Sequence, residues 1–324
     1  MFVPLNVAVL GGVLALATTV FGQSYSPSQS LKSKNMMVAR DEGASPQNTR
    51  CADGAKDIPN LRDFGLKVVN LWVSHGDATL IFLPTGEIAL VDTGQDFAVK
   101  EFLMPFLAQH GIESLDYLIL THYHGDHIAG KIEKDGKTYL GYRWDDNAKR
   151  IPVKNFWDNR TFHSGDVLNW GGTKLSVLNS AYDYPISEDE NERSLSLIID
   201  YNGFRYGIGG DIYARQQERI MQDQPEEVRV HVYRTNHHLH GSVSEQYLKS
   251  ADPFLFITSA QEAVYEREAY TVNFRNAVGE LRQKKARFIE SLLTLENGNV
   301  LVWANNENSW GYVCQPSGTQ MPLP

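Results

Sequence analysis

Cysteine is scarce in this chain, because only Cys51 and Cys314 occur among its 324 residues. Neither has a second cysteine or a histidine at the spacing of zinc ligands, which argues against a cysteine-based zinc site. In an oxidising compartment the simplest interpretation is one disulfide between them, with two free thiols as the alternative. The disulfide would join an N-terminal segment to the C-terminal end of the chain.

The chain also lacks an excess of positive charge. It has 30 Lys and Arg against 39 Asp and Glu, for a formal net charge of −9. Nucleic-acid-binding proteins generally carry Lys and Arg clustered along one face. The most basic stretch, 282–287, is typical of a solvated helix end. We therefore expect a small-molecule or oligomeric substrate, and the charge does not favour nucleic acid as a partner.

Long apolar runs are missing too, apart from one near the N-terminus. Residues 7–21 are apolar but too short to span a bilayer comfortably, and the residues before Gln23 form a pattern that allows signal-peptide cleavage there. We expect a signal peptide over residues 1–22 and a secreted protein without membrane contact after its removal; a membrane anchor is the alternative. The next segment, 23–65, is rich in Ser, Pro, Gln and Asn, which is typical of a flexible arm.

Potential metal ligands are most concentrated at residues 121–127, Thr-His-Tyr-His-Gly-Asp-His. The motif follows the apolar run 117–120, which predicts a buried strand. In extended chain His122 and His124 point the same way, and the glycine that follows lets the chain turn before Asp126–His127. Imidazole and carboxylate groups bind zinc and similar ions. The spacing therefore predicts two adjacent metals, one held by each pair.

Four motifs make the chain resemble the metallo-beta-lactamase superfamily. They are Val-Asp-Thr-Gly at 91–94, the histidine motif at 122–127, Gly-Gly-Asp at 209–211 and Asn-His-His at 236–238. Gly-Asp-Ala-Thr-Leu-Ile at 76–81 is similar to the branch that includes the soluble domain of bacterial DNA-uptake (competence) proteins. The resemblance spans residues 66–304 and is specific for fold but only weakly specific for substrate.

The resemblance implies a site with two divalent metal ions, zinc being the expected metal. The implied ligands are His122, His124, Asp126, His127, Asp211 and His237. The first two would hold one ion, the next two and His237 the other, and Asp211 would bridge them. A metal-bound hydroxide would be the nucleophile, with Asp126 and Asp211 as the catalytic carboxylates. Asp92 would support the site through hydrogen bonds.

The sequence departs from the family pattern at two places. Where a third histidine for the first ion is expected, this chain has Asn179, whose amide oxygen is a weaker zinc ligand than imidazole. The last histidine motif, 236–242, contains two extra residues. His237 is therefore the preferred last ligand, while His238 and His240 remain alternatives.

The order of strand and helix signals predicts an α/β fold, a four-layer αβ/βα sandwich of the metallo-beta-lactamase type. Two mixed sheets would pack face to face with helices outside, and the metal motifs would lie on loops at one edge. The domain is expected over residues 66–312, with a C-terminal tail over 313–324. The Asn-Gly pairs at 202–203 and 297–298 predict hairpin turns.

Aromatic rings are concentrated in residues 131–170. They could form a lid over the metals or fill an ordinary core. The rings are Tyr139, Tyr142, Trp144, Phe156, Trp157, Phe162 and Trp170. Four histidines outside the metal motifs are expected to be structural or exposed: His75, His110, His163 and His231.

These observations predict a secreted dinuclear-metal hydrolase. A phosphoester or phosphodiester is the first substrate we expect, because of the resemblance to the DNA-uptake branch. The alternatives are an ester, lactone or amide hydrolase and a metal-binding module without catalysis, which the asparagine at position 179 makes conceivable. A redox role is not expected, because relatives of that kind carry an added flavin domain.

Overall fold

The computed structural model describes residues 49–50, 65–285, 289–306 and 309–315. The predicted signal peptide, nearly all of the predicted arm and Cys51 lie outside the described residues. The disulfide between Cys51 and Cys314 therefore stays a prediction. Within the part of the chain that the structure describes, no helix combines the length and the apolar character needed to cross a membrane.

The first sheet has ten strands and is mixed. In spatial order they are β1 (Thr49–Arg50), β17 (Trp310–Gln315), β16 (Asn299–Ala304), β2 (Leu66–Asn70), β3 (Thr79–Phe82), β4 (Ile88–Val91), β5 (Leu115–Ile119), β8 (Arg150–Trp157), β7 (Lys137–Gly141) and β6 (Lys131–Lys134). Three neighbouring pairs are parallel, namely β1 with β17, β4 with β5 and β5 with β8. The remaining pairs are antiparallel.

The second sheet has seven strands. In spatial order they are β15 (Glu290–Leu293), β14 (Leu255–Thr258), β13 (Val232–Arg234), β12 (Phe204–Ile208), β11 (Ser196–Tyr201), β10 (Thr173–Asn179) and β9 (Val167–Trp170). Strands β9 to β12 pair antiparallel, and β12 to β15 pair parallel. Tyr201 pairs with Phe204, so the hairpin turn predicted at 202–203 is confirmed.

Helices cover the outer faces of both sheets. They are α1 (Asp96–Ala98), α2 (Met104–Gln109), α3 (Gly125–Ile128), α4 (Ala214–Asp223), α5 (Glu245–Ala251), α6 (Glu262–Tyr265), α7 (Glu268–Lys285) and α8 (Thr294–Asn297). A π-helical turn, Val99–Leu103, joins α1 to α2. It ends at Leu103, two residues before Pro105, which lies in the first turn of α2 and has no backbone N–H to donate to the preceding turn.

Alternation along the strands divides the apolar side chains between separate cores. Val68 of β2 pairs with Ile81 of β3, and both face the core between the sheets. The next pair, Val69 with Leu80, faces the opposite way, toward α1 and α2. A third core lies between the second sheet and its helices. These three apolar cores separate four layers, which confirms the predicted four-layer sandwich.

The Asn-Gly pair at 297–298 does not make the predicted hairpin. Strand β15 pairs with β14, whereas β16 pairs with β2 and β17 in the other sheet. Gly298, with φ of 68°, instead ends α8 as the chain crosses between sheets. Strand β17 also continues to Gln315, beyond residue 312 where the tail was expected to follow.

Most aromatic side chains of residues 131–170 pack into cores. Trp157, Phe162 and Trp170 contact the core between the sheets. Tyr142 and Phe156 contact the core under α1 and α2. Of the two interpretations of this segment, these five rings therefore follow the core interpretation.

Candidate metal centre

The metal motifs follow strands that end at the same edge of the sandwich. Asp92 follows β4 and His122 follows β5 closely, and these strands are parallel neighbours. Asp211 and His238 follow β12 and β13, which are again parallel neighbours. Because the carboxyl ends of parallel strands meet at one edge, side chains from distant segments converge there.

Asp211 lies beside two histidines of the central motif. Its Oδ2 is 3.3 Å from Nε2 of His127 and 3.7 Å from Nε2 of His122. All three side chains are buried, and one ligand atom of each lies within 4.8 Å of the others. His124, the expected partner of His122 on one ion, is exposed and lies outside this trio, but its Nδ1 is 3.2 Å from Nε2 of His122, close to the separation of two ligands on one zinc ion. We call the buried trio of His122, His127 and Asp211 the inner cluster.

A second trio, which we call the outer cluster, consists of His75, Asp126 and His238. Asp126 Oδ2 is 3.3 Å from His75 Nε2 and 3.5 Å from His238 Nε2. The side chains of His75 and Asp126 are 16% and 20% exposed, so this cluster faces the solvent. His238 Nε2 also lies 3.7 Å from Asp211 Oδ2, which places Asp211 between the two clusters.

The donor atoms fit divalent metal ions. Two ligand atoms that each lie about 2.0–2.1 Å from a tetrahedral zinc are about 3.3–3.4 Å apart, close to the separations within both clusters. Asp211 Oδ1, His127 Nε2 and His238 Nε2 are buried and have no hydrogen-bond partner among the described residues. Unpaired buried polar atoms are costly, and a cation would satisfy all three. Imidazole and carboxylate donors suit zinc and similar ions.

Hydrogen bonds behind the inner cluster orient its histidines. Asp92 Oδ2 lies 2.8 Å from Nδ1 of His127, and its carboxylate also accepts from the backbone N–H and the hydroxyl of Thr121 at 2.8 and 2.7 Å. A carboxylate can only accept, so Nδ1 of His127 carries the hydrogen and Nε2 is left for a metal. Asp92 therefore has the supporting position that the resemblance implies.

Charge in the two clusters favours cations. Burial would lower the pKa of each histidine and raise that of each carboxyl. Against that burial, neighbouring carboxylates hold the pKa of His127 well above its usual value and raise the pKa of His238 to about 9. Neighbouring imidazoles hold the pKa values of Asp211 and Asp126 well below the usual range despite burial. The carboxylates are therefore ionised and available to a metal.

The last histidine motif brings His238, rather than His237, into the clusters. Three successive residues, His237 to Leu239, have positive φ values of 45°, 48° and 64°. Such left-handed backbone is costly for residues other than glycine and is concentrated at functional sites. The turn brings His238 Nδ1 to 2.7 Å from the backbone oxygen of Ser259, which leaves Nε2 facing the clusters.

The remaining candidates lie outside both clusters. The His237 ring contacts Ser242 Oγ at 3.1 Å and Asn191 Nδ2 at 3.3 Å. His240 stacks on Tyr270, with ring centroids 5.3 Å apart. The preferred last ligand, His237, and the alternative His240 therefore belong to neither the inner nor the outer cluster.

Asn179 is fully buried, and both ends of its amide are occupied. Its Oδ1 accepts a hydrogen bond from the Arg219 guanidinium at 2.7 Å. Its Nδ2 donates to the backbone oxygens of Glu192 at 3.0 Å and Ser194 at 2.8 Å. In this arrangement the amide connects β10 to α4 and to the loop before β11.

His75 is the cluster member that the sequence interpretation did not include among the ligands. It lies far from the histidine motif along the chain, and a lone histidine gives no signal of metal binding. Its position directly before the 76–81 segment was the one available indication. In the structure, His75 Nε2 lies 3.3 Å from Asp126 Oδ2.

The family follows from comparison with known proteins. The sequence matches the family model of the metallo-beta-lactamase superfamily over residues 71–263. The chain belongs to this superfamily. The matched range contains every residue of both clusters.

The chain is 27% identical over 216 residues to ComE operon protein 3 of Bacillus subtilis (strain 168), a match that covers 58% of this chain and 27% of the relative. The chain thus spans little more than a quarter of that protein, and the match supports the competence-protein-like branch.

Similar solved structures include a Cronobacter sakazakii metallo-beta-lactamase with a HARLDQ motif. The two chains are 13% identical, and the match covers 68% of this chain and 91% of the Cronobacter chain, with a TM-score of 0.32. Another is CmlA, a diiron beta-hydroxylase from Streptomyces venezuelae, which is 11% identical. This match covers 71% of this chain and 53% of the CmlA chain, with a TM-score of 0.41.

Proposed function

We propose that this protein is a secreted hydrolase that uses two divalent metal ions, with zinc as the native metal and a phosphoester or phosphodiester as substrate. One observation carries the metal-dependent part of the proposal. A single carboxylate oxygen, Oδ2 of Asp211, lies 3.3–3.7 Å from ring nitrogens of His122, His127 and His238. That is the position a ligand shared between two ions requires.

The inner and outer clusters would hold the two ions. When bound, two such ions would supply a hydroxide nucleophile near neutral pH and would polarise the oxygen of the bond under attack. Asp126 is partly exposed and ionised, so it can accept a hydrogen bond from an attacking water and orient it. Asp92 holds the ring of His127 in one tautomer.

Resemblance and charge together support the choice of substrate. The competence-protein-like branch motivates a phosphoester or phosphodiester. The net charge of −9 disfavours long polyanions through repulsion and leaves small phosphoesters as the better match. Access is from the solvent side, where His75, Asp126 and His124 are at least partly exposed.

A substrate panel tests the reaction class. We expect purified protein to hydrolyse p-nitrophenyl phosphate or bis-p-nitrophenyl phosphate, to lose this activity with a chelator, and to regain it with zinc. A lactone and p-nitrophenyl acetate belong in the same panel. Turnover of these alone would replace the phosphoester assignment with a lactone or ester hydrolase, and metal binding without any turnover would support a non-catalytic module.

Secretion is supported by the apolar N-terminal segment and by the register of two described residues. Thr49 and Arg50 pair with Tyr312 and Val313, and in sequence Cys51 and Cys314 come next. Intact mass and non-reducing peptide mapping of secreted protein should give a chain that begins near Gln23 and contains the disulfide. A retained Met1 or two alkylatable thiols would contradict this part of the proposal.

A further inference from the structure

We propose that His75 is a ligand of the metal ion in the outer cluster, together with Asp126 and His238. This inference rests on the proposed metal centre and adds to it a residue that the superfamily resemblance does not imply. In this proposal His75 Nε2 binds the ion directly. The alternative role is that Nε2 only donates a hydrogen bond to Asp126.

The geometry around Asp126 suits a shared ion. Both His75 Nε2 and His238 Nε2 approach the same carboxylate oxygen, at 3.3 and 3.5 Å. The two rings lie side by side, with centroids 4.5 Å apart. These separations are close to the edge of a zinc tetrahedron, about 3.3–3.4 Å. One ligand atom of each of the three residues lies within 4.8 Å of the other two.

The backbone that carries His75 is fixed against Asp126. The N–H of Asp77 donates to the backbone oxygen of Asp126 at 3.2 Å. Gly76, with φ of 107°, permits this approach, because a Cβ there would lie 2.3 Å from the same oxygen. The two residues that follow His75 thus hold its loop against Asp126.

Ser259 connects His75 to the other histidine of the outer cluster. Its hydroxyl donates to the backbone oxygen of Gly76 at 2.7 Å, and its own backbone oxygen lies 2.7 Å from Nδ1 of His238. One residue therefore positions the loop of the first histidine and the ring of the second. The contact of His238 Nδ1 with a backbone oxygen is typical of metal-ligating histidines.

His75 adds a second imidazole to the donors around the outer ion. Without it that ion would have His238, Asp126 and the shared Asp211, which are one imidazole and two carboxylates. Imidazole suits zinc and similar ions, so His75 should tighten the outer site. The side chains of His75 and Asp126 are 16% and 20% exposed, which places the accessible side of this cluster toward the solvent.

The test compares His75→Gln with His163→Gln. Glutamine at position 75 can still donate a hydrogen bond to Asp126 but is a poor zinc ligand, so it separates coordination from positioning. His163 is exposed and belongs to neither cluster, which makes its variant the matched control. Zinc per chain is measured after dialysis against increasing chelator, and folding is checked by the unfolding of metal-free protein.

We expect wild type and His163→Gln to retain two zinc ions over the same chelator range. His75→Gln should lose one ion at a chelator concentration about tenfold or more lower, with the other ion unaffected. Equal retention by His75→Gln would overturn the inference, whereas a wild type without zinc would overturn the proposed metal centre itself.

A second measurement does not depend on the variant folding. Nitrogen NMR of the imidazole side chains of the wild type should show the His75 Nε2 resonance shift when zinc is added. A His75 resonance that stays unchanged while those of His238 and His127 shift would overturn the inference.

Discussion

Asp92 and His127 are joined by a contact of 2.8 Å between carboxylate Oδ2 and ring Nδ1, and both side chains are buried. The same carboxylate accepts two further hydrogen bonds from Thr121. Asp92 thus supports the inner cluster from behind the ring of His127. Its effect is to leave Nε2 of His127 facing Asp211.

Asp92→Asn should weaken metal binding. An amide has one acceptor oxygen, so it cannot accept all the hydrogen bonds that the Asp92 carboxylate receives from Thr121 and His127. We expect a loss of metal affinity of about 10–100-fold, measured by chelator competition. Asp135→Asn, in an exposed turn, is the control and should bind as wild type does. Unchanged affinity in Asp92→Asn would show that this pair does not support the metal.

His238→Ala and His237→Ala should differ in metal content. His238 Nε2 lies 3.5 Å from Asp126 and 3.7 Å from Asp211, while the His237 ring contacts Ser242 and Asn191. We expect His238→Ala to retain only one tightly bound ion per chain and His237→Ala to retain two, measured by metal analysis after gel filtration. The opposite pattern would return the last-ligand role to His237.

This difference shows what the sequence could and could not predict. The apolar run before the histidine motif predicted strand β5, and the parallel strands then place Asp92 and the histidine motif together. The choice between His237 and His238 depends on three successive positive φ values, for which the sequence contains no glycine as a signal. His75 joins the site through contacts between distant segments, which local pattern does not reveal.

The hairpin prediction at 297–298 failed for a related reason. An Asn-Gly pair indicates a tight turn, but it does not determine which strands pair on either side. Here α8 and Gly298 lead the chain from one sheet to the other. The four-layer architecture was predictable because it follows from the order of elements and from the family motifs.

Asn179→Ala should affect stability more than metal binding. The Asn179 amide is buried and makes hydrogen bonds with Arg219 and with the backbone of Glu192 and Ser194. Leaving these groups unpaired should lower the free energy of unfolding by about 1–3 kcal/mol, measured by urea denaturation of metal-free protein. Metal content should stay at the wild-type value. Loss of one ion at unchanged stability would instead make Asn179 a metal ligand.

Glu227→Gln should make stability less dependent on pH. Burial would raise the pKa of Glu227, but Lys174 and Arg205 together lower it below its usual value. A lowered pKa in the folded state means that the carboxylate stabilises the fold above the unfolded-state pKa of about 4.3, and that this stabilisation is lost as pH falls through the folded-state pKa.

At pH 7 we therefore expect Glu227→Gln to be less stable than wild type by about 1–3 kcal/mol, because buried Arg205 loses a charged partner. The difference should shrink as pH falls below about 4. Denaturant unfolding of metal-free protein at several pH values measures it, with exposed Glu226→Gln as the control. A difference that is constant with pH would contradict the assignment to this carboxylate.

The most direct test of the metal-centre account measures zinc per chain and hydrolysis of bis-p-nitrophenyl phosphate together, in wild type, Asp211→Asn and His124→Ala. We predict two ions and chelator-sensitive turnover in wild type. Both variants should remain folded, bind less metal and lose activity by far more than tenfold, a factor that corresponds to about 1.4 kcal/mol in the barrier. Full metal content with turnover within about tenfold of wild type in Asp211→Asn would contradict the account.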